Sequence, residues 1–154
     1  MKYKKEFTKE KADFENFLIE MDEQLDWLFA EATKYNFNLN LSEPCYEKLE
    51  SLFDLMVQGK SKDEISKISI TFARFLGENI RTLHGGKWHL FLDDENNVYF
   101  NTPVIVGHSP IKDLEFSPLF TMRAYALRRK KGTLIRAIDA QINIVSLNLD
   151  DIRE

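Results

Sequence analysis

The sequence predicts an α+β domain: a helical N-terminal half, a β-hairpin or small antiparallel sheet at about 87–106, and two C-terminal helices. Three observations predict it. Apolar residues recur at about 100° per residue through the first 84 positions. After Gly85-Gly86 the period changes to two. After Ser117-Pro118 it returns to helical spacing.

Phe14, Phe17, Leu18, Met21, Leu25, Leu28, Phe29 and Ala32 form one stripe, so a single long helix is expected from Lys9 to Lys34, capped by Thr8. The segment 35–40 holds three Asn and reads as a loop. Ser42-Glu43-Pro44 predicts the start of a second helix, with Tyr46, Leu49, Phe53, Met56 and Val57 on its apolar side and Gly59 as its stop. Ser61 and Glu64 match a capping box. A third helix follows, carrying Ile65, Ile68, Phe72, Phe75, Leu76, Ile80 and Leu83. Its wide stripe predicts the central element, packed on the first helix and the hairpin.

Trp88, Leu90 and Leu92 alternate with Lys87, His89 and Phe91 in a first strand. Asp93 to Asn97 reads as a polar turn, and Val98-Tyr99-Phe100 opens a second strand. Pro103 limits that strand or places it on an edge, with Val104 to Val106 beyond a kink. Ser117 then caps a helix that ends in Arg128-Arg129-Lys130-Lys131-Gly132, and Thr133 caps a last one carrying Leu134, Ala137, Ile138, Gln141, Ile142 and Val145. The tail from Ser146 is expected to be loose.

The length, 154 residues, fits a single domain spanning 1–154. A hydrophobic fraction of 44% with 30% charged residues excludes disordered and membrane classes, and no stretch approaches a membrane span. The N-terminus has no apolar run of the kind that follows a signal peptide's charged start, so a cytoplasmic location is expected. Residues 1–60 carry a net charge of −5 and residues 123–154 a net of +3, which argues against nucleic-acid binding.

No cofactor fingerprint is present. His84-Gly85-Gly86-Lys87 has the order helix, glycines, strand, the reverse of a phosphate cradle. His84, His89 and His108 lack metal-ligand spacing. His108-Ser109 lies in what reads as a turn, with no third member for a nucleophilic triad. Cys45 stands at a helix start, where the dipole would lower its pKa, but no motif supports a nucleophile and an inert, partly buried thiol is expected. Asp93, Asp94 and Glu95 lack the alternation of a calcium loop.

Other positions break their local pattern. Asn79 falls on the apolar stripe of the third helix and is expected to bond backbone near the hairpin. Glu78, between Arg74 and Arg81, reads as part of a surface charge ladder. The basic run 128–131 reads as a solvated helix end or a contact for an acidic partner.

Between Asp13 and Glu31 there are seven acids and no Lys or Arg. Trp27 falls among Glu20, Glu23 and Glu31, either as an interface anchor or packed against another part of the chain. The repulsion along this helix is offset either by the basic segment Arg123 to Arg136 lying alongside or by a basic partner.

From Phe75 onward, Phe75-Leu76-Gly77-Glu78-Asn79-Ile80-Arg81, Gly85-Gly86-Lys87-Trp88, Pro103-Val104-Ile105 and Ser117-Pro118 resemble a group of small uncharacterised bacterial proteins, some of which are similar to immunity proteins of polymorphic toxin systems. The resemblance implies a cytoplasmic bacterial domain without established catalytic residues, and it transfers no site. The expected function is therefore a noncatalytic, immunity-like protein-binding domain that uses Glu20, Glu23, Trp27 and Glu31 against another, basic protein. The alternative is a small enzyme or ligand binder with a pocket between hairpin and helices around Glu78, His84 and Trp88. No cofactor is expected under the first reading.

Overall fold

A computed structural model describes residues 6–111 and 114–142. Among them are six helices: α1 (Thr8–Ile19), α2 (Met21–Lys34), α3 (Tyr46–Met56), α4 (Lys62–His84), α5 (Pro118–Arg128) and α6 (Thr133–Ile142). The three strands β1 (Lys87–Leu90), β2 (Pro103–Val106) and β3 (Glu115–Phe116) form an antiparallel sheet in that order. The α+β class is as predicted, with one more helix and one more strand.

The expected first helix is two. The chain bends at Glu20, whose backbone N–H bonds back to Asn16 while α2 begins at Met21. The apolar stripe runs through the bend, so periodicity alone does not reveal it. The two halves have different partners: Phe17 on α1 meets the Trp88 ring edge-on at 5.0 Å, whereas α2 packs along α4. Thr8 is the first helical residue, and Phe7, in a left-handed conformation, takes the cap position without a side-chain bond. The second helix also begins later than expected. Cys45 rather than Ser42 precedes it.

The capping box forms as expected. Ser61 Oγ accepts from the Glu64 N–H at 3.2 Å, and the Glu64 carboxylate accepts from the Ser61 N–H at 3.3 Å. The helix it starts, α4, runs for 23 residues and is the hub: α2, α3, α5 and β2 all pack on it. Phe72, Phe75 and Leu76 are fully buried, with Phe72 edge-on to Phe53 at 5.2 Å. Gly77 lets the sheet approach, because a Cβ there would fall 2.2 Å from the Trp88 ring.

The second strand is Pro103–Val106, not Val98–Phe100. Two side chains take the intervening backbone instead: Asp94 accepts from the Asn96 N–H and Asn97 from the Tyr99 N–H. Such local turns compete with a ladder. Pro103 opens the strand opposite Leu90, a position where its missing donor is tolerated. β2 is the central strand, since Ile105 and Val106 also pair with Phe116 and Glu115 of the unforeseen β3. Ser117 caps α5 through the Phe120 N–H, as expected. Thr133 is the first residue of α6 rather than its cap, and its hydroxyl donates to the Lys130 carbonyl. Val145 and the tail from Ser146 lie outside the described residues.

Candidate functional site

The helices α2 and α4 run antiparallel. Glu20 pairs with Arg74 and, one turn further along α2, Gln24 accepts from Thr71 Oγ1 at 2.8 Å, so a step forward on α2 is a step back on α4. Leu25, Leu28 and Ala32 face the core and are buried. The next face round from them leaves a long groove between the two helices, with a volume of about 620 Å³.

Glu20, Glu23, Trp27 and Glu31 all line this groove from α2, and Tyr35 extends their row. The opposite wall carries Lys67 and Arg74, two turns apart on one face of α4, and Lys60 from the loop that precedes the helix. Glu64 stands among them, its carboxyl held below the usual range by the Ser61 backbone N–H and hydroxyl. The walls therefore differ in sign, acidic on α2 and mostly basic on α4. Trp27 is 41% exposed, so part of its surface stays open to solvent in the groove.

Two of the acids have internal partners. Glu31 pairs with Lys34 at 3.2 Å, and Glu20 stands 3.5 Å from Arg74 Nη2. Arg74 itself is 6% exposed, with its guanidinium 4.4 Å from the centre of the Phe17 ring. Burial pulls its pKa down, and the Glu20 charge opposes that shift. The sequence reading missed Arg74 as a floor residue. The signal was there in its place three residues after Thr71 and one before Phe75, on the edge of the apolar stripe.

The basic run does not lie along the acidic helix. Lys131 and Arg129 reach Asp54 on α3, at 2.9 and 3.6 Å. Tyr125 Oη donates to the same carboxylate at 2.8 Å. Glu50, one turn earlier, is 1% exposed and accepts the backbone N–H groups of Gly132 and Leu134 at the start of α6. These anions on α3 take up the positive end of α6, a role the sequence reading did not assign to them.

The alternative site fares differently. Glu78 keeps one rung of the expected ladder, its i,i+3 pair with Arg81, but not the other: its Oε2 accepts from Arg81 Nη1 and Trp88 Nε1, both at 2.7 Å, while Arg74 pairs with Glu20. A second concavity of about 400 Å³ includes Glu78, Arg81, Lys87 and Trp88, but His84 does not line it. Asn79 is fully buried, as its place on the stripe implies. Its partners are not near the hairpin. Its amide donates to the carbonyls of Leu41 and Glu43 at 2.7 and 2.9 Å, and its oxygen accepts from Tyr46 Oη.

His108 is buried and its Nε2 meets Gln141 Oε1 at 2.9 Å, so it is tied to α6 rather than to Ser109. Among the described residues no three His, Cys, Asp or Glu are grouped to hold a metal ion. Cys45 is buried, and burial pushes its thiol pKa up, the opposite of the shift its helix-start position suggested. No helix of the described residues is long and apolar enough to cross a membrane.

No protein-family model, curated protein or solved structure matches the chain.

Proposed function

We propose that this chain is a noncatalytic protein-binding domain, immunity-like in that it holds another, basic protein through a charged surface. The surface is the α2 wall of the long groove, with Trp27 as the apolar anchor between Glu23 and Glu31. The observation that carries the reading is the engagement of Arg129 and Lys131 by Asp54 on α3. Those cations are spent elsewhere and do not offset the acids of this wall, where Glu23 is exposed while Glu20 and Glu31 pair with Arg74 and Lys34. An exposed indole ringed by carboxylates matches the aromatic centre and charged rim of many interfaces.

The test starts from immobilised chain and an extract of the source cell. The captured protein is identified, purified and titrated against three forms of the chain. Trp27→Ala is expected to lose about 2 kcal/mol of binding, the scale of a central aromatic anchor. Glu23→Lys is expected to slow association, more so at low salt, with an unchanged melting temperature, because Glu23 is exposed and charges of that kind add little to stability. A lowered melting temperature with undiminished capture would make the acidic face structural and end the proposal.

A further inference from the structure

A buried cation lies at the floor of the groove, and its bonding is incomplete. Arg74 is 6% exposed, and its Nε has no hydrogen-bond partner among the described residues. The Phe17 ring covers its guanidinium but supplies no acceptor in the plane where the five N–H donors point. The carboxylate paired with it is Glu20, at 3.5 Å, longer than a charge-assisted hydrogen bond. The Glu20 side chain is 55% exposed, so it reaches Arg74 from the solvent side. A desolvated guanidinium held this loosely is poised for a carboxylate that arrives with better geometry.

We infer that Arg74 receives a carboxylate from the partner, and that Glu20 occupies the place of that carboxylate in the free protein. The inference rests on the reading of the groove as a partner surface and narrows it. The occupant is an amphipathic helix of the partner with flanks of opposite sign. Its acidic flank faces Lys67 and Arg74 on α4, its basic flank faces Glu23 and Glu31 on α2, and its apolar seam meets Trp27. Charge complementarity with the two walls sets this choice. From Glu20 to Glu31 the α2 wall is about 16 Å long, the length of three helical turns. Glu20 thereby changes role: it competes with the partner's acid instead of attracting the partner's bases.

The probes are two synthetic peptides of about four helical turns. Both carry Lys on one flank and Leu at the centre of the seam; one has a Glu at the Arg74 end and the other has Gln there. Each is titrated calorimetrically against the full chain. The Glu peptide is expected to bind about tenfold tighter than the Gln peptide, the scale of one charge-assisted hydrogen bond. Glu20→Gln is expected to strengthen the Glu peptide and to widen its advantage over the Gln peptide. Arg74→Lys, with folding checked by circular dichroism, is expected to shrink the difference, since an ammonium cannot form the bidentate pair. Equal binding of the two peptides to the unaltered chain, or Glu20→Gln weakening both, overturns the inference. A Glu23→Gln variant that weakens neither peptide overturns the underlying reading instead. Absence of binding by either peptide overturns both.

Discussion

Glu50 sits on the same face of α3 as Leu49 and Phe53, and its burial is matched by the two donors at the start of α6. Its removal leaves those N–H groups inside the protein without an acceptor. Glu50→Ala is expected to cost about 2–3 kcal/mol, the range for hydrogen bonds to a charged group, read as a lower urea midpoint at unchanged slope. Two phenols add a dependence on pH. Burial first, then neighbouring negative charge, pushes Tyr46 up to about 12 from its ordinary 10.0. For Tyr125 the causes are burial and its hydrogen bond to Asp54, and the result is also about 12. The unfolded chain gives up these protons before the folded one does. Their contribution is therefore whole below pH 10 and is lost as pH rises through 12. The urea midpoint is expected to fall across that window, and less steeply in Tyr46→Phe, which has one fewer phenol to ionise.

At the scale of elements, α4 shows how a helix is shaped by what packs on it. Ala is the better helix former by roughly 1 kcal/mol, so helix propensity alone says that Gly77→Ala should stabilise the interior of α4. The packing says the reverse. The added Cβ would lie 2.2 Å from a Trp88 ring that cannot easily move, because Phe17 abuts it and Glu78 holds its Nε1. Overpacking of this kind costs about 1–3 kcal/mol and should prevail. Gly77→Ala is expected to lower the denaturation midpoint and to alter Trp88 fluorescence; a midpoint raised by the substitution would show that β1 can slide. The break at Glu20 belongs to the same scale. Phe14 through Ala32 make one uninterrupted stripe, which passes at Glu20 from α1, whose Phe17 meets the Trp88 ring and the Arg74 guanidinium, to α2, which packs along α4.

At the scale of the molecule, α4 joins the N-terminal helices to the sheet and to α5. Phe72 is fully buried at its centre, against Phe53, which in turn meets Tyr125 of α5. Phe72→Ala is expected to cost about 3–5 kcal/mol. Because the ring serves several elements at once, far- and near-ultraviolet circular dichroism should follow one transition in the variant, shifted but still single. An unchanged midpoint would remove α4 from the centre of the fold.

The α+β class, the capping box of α4, the Ser117 cap of α5, the strand after Gly86 and the membership of most core residues were legible in the sequence by itself. They rest on local rules: apolar period, capping chemistry and the conformational freedom of glycine. The four acidic-helix residues singled out from charge and spacing also line one groove, because a helix face is fixed by the 3.6-residue turn wherever the helix lies. What the chain beside that face would be was a matter for the tertiary structure. The sequence left two offsets open for the acidic helix, the basic segment alongside or a basic partner; the fold put Arg129 and Lys131 on Asp54 and Arg74 beneath Glu20. The same holds for the partners of Asn79, the bend at Glu20 and the strand at Pro103. Each depends on which distant groups arrive within a few ångströms, and periodicity along the chain carries no record of that.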